Sequence, residues 1–235
     1  MSETATPVTI ELPRMTLEGE LAVPAGARGI VLFAHGSGSG RKSPRNQFVA
    51  RELQGHGIGT LLFDLLTEDE QADPDEDADL RFDIKELGSR LQSATDWLQS
   101  APELRRFDAP VPFGYFGAST GAAAALTAAA NRPAEIAAVV SRGGRPDLAA
   151  PHLGRVRAPT LLIVGEADDI VLALNRRACE KLAGQNQLAV VANAGHLFEE
   201  TGALEEVARL SVAWFTRHFP AGDARHDDRG ARPIY

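Results

Sequence analysis

Apolar positions along the chain follow two patterns. Short continuous runs, among them GIVLFA at 29–34, IAAVV at 136–140 and TLLIV at 160–164, are separated by polar or glycine-rich stretches. Longer stretches repeat apolar residues every three or four positions. The continuous runs predict strands covered on both faces, because a half-buried strand would alternate. Strands are expected at 8–12, 17–23, 29–34, 59–64, 111–116, 136–140, 160–164 and 187–191. Helices are expected between them. The stretch 44–54 opens with Ser43 as N-cap and Pro44 at the first helical position. In 82–99, Ile84, Leu87, Leu91, Ala94 and Leu98 mark one face. The Ala-rich stretch 119–130 stops at Asn131-Arg132-Pro133, and 172–183 stops at Gly184. In 201–218 the stripe is Leu204, Val207, Leu210 and Trp214.

Strand and helix alternate from 29 to 218, which predicts an α/β fold around a mostly parallel sheet. The first two strands have no helix between them and are expected to form an antiparallel hairpin at one edge. One domain over 1–220 is expected, with 221–235 a weakly ordered polar tail.

Composition narrows the classes. The chain has 235 residues, 44% of them hydrophobic and 24% charged, in the range of a soluble globular protein. Its single cysteine, Cys179, excludes an internal disulfide framework. No apolar run approaches membrane-spanning length, and Met1-Ser2-Glu3 begins no secretory signal, so a cytoplasmic protein without membrane contact is expected. The net charge of −8 resides in the segment 68–79, which holds eight acids and no base. Outside it the charges balance, so no basic face invites nucleic acid. The acidic run is read as a solvated loop, with a flap near a site as the sharper alternative.

In an open α/β sheet, ligands bind beyond the carboxyl ends of the strands. After the fifth strand comes Gly117-Ala118-Ser119-Thr120-Gly121, a G-x-S-x-G turn between strand and helix. A serine on so sharp a turn projects its hydroxyl into the cleft, and the glycines allow the close backbone approach. The hydroxyl needs a base, and the base needs an orienting carboxylate. Asp168 and Asp169 follow the seventh strand, with Glu166 close by, and His196 follows the eighth. Ser119, an acid and His196 therefore fall in the order this fold requires. One of the two aspartates is a candidate helix N-cap instead. After the third strand, His35-Gly36-Ser37-Gly38-Ser39-Gly40 leaves backbone N–H groups accessible. Ser37, with Gly38 as second choice, and Thr120 are the expected oxyanion donors. The same segment fails as a phosphate loop, because Arg41 separates Gly40 from Lys42. No His/Cys/Asp cluster has zinc spacing, so no metal is expected.

His35-Gly-Ser-Gly, Gly-Ala-Ser119-Thr-Gly, Gly165-x-x-Asp168-x-x-Val171 and Gly195-His196-x-Phe198 together resemble the α/β-hydrolase superfamily, and within it the dienelactone-hydrolase-like family, over about 8–218. The resemblance implies the α/β-hydrolase fold: an eight-stranded sheet with helices on both faces. It also implies no cofactor and a Ser119–His196–Asp168 triad, favouring Asp168 over Asp169. Dienelactone hydrolases proper use cysteine as nucleophile; Ser119 at that position points to simple carboxylic esters. The segment 141–147 also resembles this group, and its Arg142 and Arg145 would either hold an anionic acyl group or stand in loop salt bridges. Only 19 residues, 141–159, separate the sixth and seventh strands, which leaves no room for a large cap domain and favours small esters.

The leading expectation is a serine esterase acting on a small ester or lactone as a monomer or small homo-oligomer. Acyl transfer or thioester hydrolysis on the same triad is the alternative. A non-catalytic or nucleotide-binding α/β protein is the reading from a different class.

Overall fold

The computed structural model describes residues 5–72, 80–107 and 110–219. Eight strands form one sheet: β1 (Thr6–Leu12), β2 (Met15–Ala22), β3 (Ile30–Ala34), β4 (Gly59–Phe63), β5 (Phe113–Ala118), β6 (Ile136–Arg142), β7 (Thr160–Gly165) and β8 (Asn186–Val191). Their order is β1-β2-β4-β3-β5-β6-β7-β8. β1 and β2 pair antiparallel at one edge, as the missing helix between them predicts, and β2 joins β4 antiparallel. All remaining pairs are parallel. This is the α/β-hydrolase sheet.

The continuous apolar runs supply two cores at once. In β3, Ile30, Leu32 and Ala34 face one layer while Val31 and Phe33 face the other. The first layer holds helices α3 (Ile84–Gln99) and α4 (Thr120–Asn131); the second holds α1 (Pro44–Gly55) and α6 (Ala203–His218). A period of two on a doubly covered strand gives this division directly. Helix α4 is buried from Thr120 to Ala130. Its alanines let it lie close to the sheet, and a helix apolar all round must be enclosed. Between β6 and β7 stand only two short 3₁₀ turns, Pro146–Ala149 and Leu153–Arg155, so among the described residues no cap domain covers the carboxyl ends.

Several boundaries differ from the sequence expectation. β5 runs from 113 to 118 rather than 111 to 116, because Gly117 and Ala118 continue the ladder opposite Ser141 and Arg142. Helix α5 (Asp169–Cys179) starts three residues earlier than its apolar pattern and ends before Gly184. The acidic run is not uniformly a loop: Glu68–Ala72 forms the short helix α2, and Glu70 is paired with Arg90 at 2.6 and 2.8 Å. Those bonds hold the Glu70 carboxyl below its ordinary value. The rest of that run, 73–79, and the tail 221–235 lie outside the described residues.

Candidate active site

Ser119 sits between β5 and α4 with φ 52° and ψ −120°. This backbone region is costly for a residue with a Cβ. Neighbouring bonds hold it there. Its N–H donates to Arg142 O at 3.1 Å, and its own carbonyl accepts from Ala122 N and Arg145 N, both at 3.1 Å. The turn closes only because the flanking positions are glycines. A Cβ on Gly117 would lie 2.4 Å from Ala122 Cα, and one on Gly121 would lie 2.2 Å from Ala34 O. The serine hydroxyl is thereby pushed to the carboxyl edge of the sheet, half-buried and reachable.

The loops after β7 and β8 are stapled together by backbone. Glu166 N donates to Val191 O and Ala167 N to Ala194 O, both at 2.9 Å. The staple brings His196 to Asp168. His196 Nδ1 donates to Asp168 Oδ2 at 2.7 Å, and Ser119 Oγ lies 3.3 Å from His196 Nε2. Because the carboxylate can only accept, it fixes the imidazole tautomer that leaves Nε2 free to receive the serine proton. Asp168 occupies the N-cap position of α5, yet its side chain makes no capping bond. It is committed to the imidazole. Asp169 is exposed in the first turn of α5. The geometry therefore brings Ser119, His196 and Asp168 together and leaves Asp169 outside.

The loop after β3 is held from two sides. His35 is buried, with Nδ1 donating to Gly36 O and Nε2 accepting from Leu65 N, both at 2.9 Å. Burial keeps its pKa below the ordinary value. Arg81 Nη1 donates to Ser37 O at 3.1 Å. Gly38 lines a cavity of about 240 Å³ shared with His35, Ser37, Leu66 and Arg81. Ser37 and Thr120, expected as the two oxyanion donors, do lie together, but the Ser37 N–H donates to Thr120 Oγ1 at 2.9 Å. That donor is thus already engaged by a hydroxyl. The Thr120 N–H is in the first turn of α4, where no intrahelical acceptor exists.

The two loop arginines part company. Arg145 forms a two-pronged pair with Asp147 at 2.9 and 2.7 Å, the salt-bridged alternative for such a residue. This pairing also holds Asp147 below the usual carboxylate value. Arg142 is buried and has no acidic partner among the described residues. Cys179 ends α5, and burial pushes its thiol up, away from reactivity. Sequence reasoning missed Arg81, whose approach to Ser37 crosses 44 positions and leaves no local signal.

Comparison with known proteins agrees with this architecture. The family model described as the dienelactone hydrolase family matches residues 17–217. A solved structure of a dienelactone hydrolase from Anabaena variabilis is 51% identical, with a TM-score of 0.89 over 93% of this chain and all of that one. A Xanthomonas campestris α/β serine hydrolase without a lid shares the fold at 21% identity, with a TM-score of 0.72 over 93% of this chain and 96% of that one. A Mycobacterium tuberculosis protein named as a phosphoribosyl transferase is 56% identical over 200 residues, which is 85% of this chain. The match covers only 43% of that protein, so the chain spans less than half the length of this curated relative.

Proposed function

Because the chain belongs to the dienelactone hydrolase family, we propose that it hydrolyses a small carboxylic ester or lactone through an acyl-Ser119 intermediate. The observation that carries this reading is the hydrogen-bonded series Ser119–His196–Asp168, drawn from the ends of three different strands. In this mechanism His196 Nε2 takes the Ser119 proton as Oγ attacks the ester carbonyl. The resulting imidazolium is stabilised by Asp168. His196 then returns that proton to the leaving alkoxide, the C–O bond breaks, and the acyl group remains on Ser119. Water, deprotonated by the same nitrogen, attacks the acyl-enzyme; collapse releases the acid and restores the serine hydroxyl.

The tetrahedral oxyanion is received at the N-terminus of α4, where the Thr120 N–H is aligned with the helix dipole. The Ser37 N–H joins it when Thr120 Oγ1 gives way to the stronger, charged acceptor. With no cap over the strand ends among the described residues, compact esters reach Ser119 directly. The mycobacterial relative's name describes a protein more than twice as long as the shared region, and its activity is not carried over to this chain.

The test is labelling with a small fluorophosphonate followed by mass mapping of the adduct. A single adduct on Ser119, absent in Ser119→Ala, is expected. Labelling at another residue, or none in protein that is folded, overturns the reading.

A further inference from the structure

Asn175 stands on the inner face of α5 and is completely buried. An amide in such a place is unfavourable unless its hydrogen bonds are made. Its Nδ2 donates twice: to Val171 O at 2.8 Å, one turn back on the same helix, and to Gly144 O at 2.9 Å, 31 positions away. Both partners are carbonyl oxygens, which can only accept, so the amide has one orientation. That orientation leaves Oδ1 buried without a partner. The side chain therefore holds its two donors in place at the cost of an unmet acceptor.

The segment it holds, 142–145, touches both Ser119 and His196. Arg142 O accepts the Ser119 N–H and the Arg145 N–H donates to Ser119 O, both at 3.1 Å. Gly143, at φ 53°, lies against the imidazole, where a Cβ would stand 3.5 Å from Cε1 and Nδ1. Gly144 has no room for a side chain, since a Cβ would fall 2.0 Å from Ser141 Oγ and 2.6 Å from Ala122 Cβ. Two successive glycines leave the middle of the segment with no side chain to fix it. The Gly143 N–H is bound to Ile163 O at 2.8 Å, and the Gly144 carbonyl finds its donor in Asn175. The helix that carries Asn175 has Asp168 as its N-cap residue. One amide thus ties the helix that begins at Asp168 to the segment that cradles Ser119.

We propose that Asn175 is a positioning residue: through Gly144 it holds the 142–145 segment, and through that segment it sets the strained Ser119 turn against His196. This assignment rests on the hydrolase reading and adds to it a residue that touches no substrate. The Ser119 backbone is unfavourable by itself and persists only while its neighbours hold it. With Gly144 released, the Arg145 N–H moves from Ser119 O, the turn relaxes, and Oγ leaves its line to His196 Nε2. Misplacement of reacting atoms by about 1 Å costs about 10²-fold in rate. No contact with substrate is lost, so the loss falls on kcat and not on KM.

The test uses two variants that lose the bond to Gly144. Asn175→Leu removes both donors at similar volume. Asn175→Ser is too short to reach Gly144 but still bonds back to Val171 O, and it serves if the leucine variant does not fold. Ala178→Gly, on the same helix, is the control for destabilisation through helix propensity alone. With 4-nitrophenyl acetate, kcat should fall about 10²-fold in the Asn175 variants with KM within about threefold, and stay within about twofold in Ala178→Gly. A second readout needs no turnover. Ser119→Gly should unfold at higher urea than Ser119→Ala, and this gap should shrink by about half or more in the Asn175→Ser background, where the turn is no longer held in strain. A folded Asn175 variant with unchanged kcat overturns the proposal, as does an equal loss in Ala178→Gly. So does a gap that is absent or undiminished. If the wild type hydrolyses no ester while the gap shrinks as expected, the hydrolase reading falls and the hold of Asn175 on the turn stands.

Discussion

Ser119 is one of the few residues other than glycine with positive φ, at 52° with ψ −120°. Removing its hydroxyl in two ways separates the chemistry from the strain. Ser119→Ala keeps the Cβ and the strained backbone; Ser119→Gly removes both. Both variants should lose about 10³-fold or more in kcat on a short aryl ester, since neither carries the proposed nucleophile. Their stabilities should differ. Backbone of this kind costs about 1–3 kcal/mol for a residue with a Cβ. Glycine gives back about 0.5–1 kcal/mol through the greater freedom of its unfolded chain. The net expectation is that Ser119→Gly exceeds Ser119→Ala by about 1 kcal/mol, which for a domain of this size is about 2–4 °C in Tm. Urea unfolding followed by circular dichroism, with calorimetric Tm as a second probe, measures the difference. A glycine variant melting at or below the alanine variant would mean that Ser119 is not held against its own conformational preference.

Further outcomes are expected elsewhere in the site. Asp168→Asn should lower kcat by about 10³–10⁴-fold while Asp169→Asn stays within about threefold, because only Asp168 reaches His196; steady-state kinetics on one ester decides, and a crippled Asp169→Asn would move the acid by one residue. Gly121→Ala should destabilise by about 3 kcal/mol or more, since its methyl would meet the backbone oxygens of Ala34 and His35 at 2.2 and 2.4 Å; an unchanged urea midpoint would contradict that close approach. His35 gives a pH dependence of known sign. Burial depresses its folded pKa, so its contribution is fully present above the unfolded value of 6.5 and is lost as pH falls from there toward the folded value. Between pH 7 and 5 the wild type should lose stability with a slope of up to about 1.4 kcal/mol per pH unit from this proton, and His35→Gln should flatten it. His152 and His218, also depressed by burial, remain in the variant and set a residual slope. Equal slopes in the two proteins would remove His35 as the source.

The sequence carried the order of strands along the chain and the sharp turn that presents Ser119 for the same reason: both are local. GIVLFA and TLLIV declare doubly covered strands by composition alone, and G-x-S-x-G declares its turn by the glycines its geometry requires. The placement of Asp168 over Asp169 was legible only through a motif's spacing, because both stand at the mouth of α5. The structure separates them by where each side chain goes, Asp168 to the imidazole and Asp169 to solvent. What was not legible depends on pairs far apart in the chain. Arg142 and Arg145 look alike in Ser141-Arg-Gly-Gly-Arg-Pro-Asp, yet one finds Asp147 two residues on and the other is turned under α1, 96 positions away at Asn46. The engagement of the Ser37 N–H by Thr120 Oγ1 is likewise an 83-residue contact without sequence trace.

The strain at Ser119 and the unpaired charge at Arg142 have a common origin in one ladder. The register of β5 on β6 sets Gly117 opposite Ser141 and Ala118 opposite Arg142. The next step of that ladder, Ser119 N to Arg142 O, fixes the Ser119 backbone in its unfavourable region. The same register fixes the Arg142 side chain on the face that α1 covers. Neither residue can relax alone: straightening the turn would break the bond to Arg142, and withdrawing Arg142 from beneath α1 would pull the acceptor from Ser119. A site in which two unfavourable features brace each other through a backbone bond is preorganised before substrate arrives. It follows that the two features should be energetically coupled. A double-mutant cycle of Ser119→Gly with Arg142→Met, read by urea unfolding, should give an interaction energy of at least about 0.5 kcal/mol, the level expected of neighbours rather than independent sites. Strict additivity would mean that the ladder holds Ser119 and Arg142 separately.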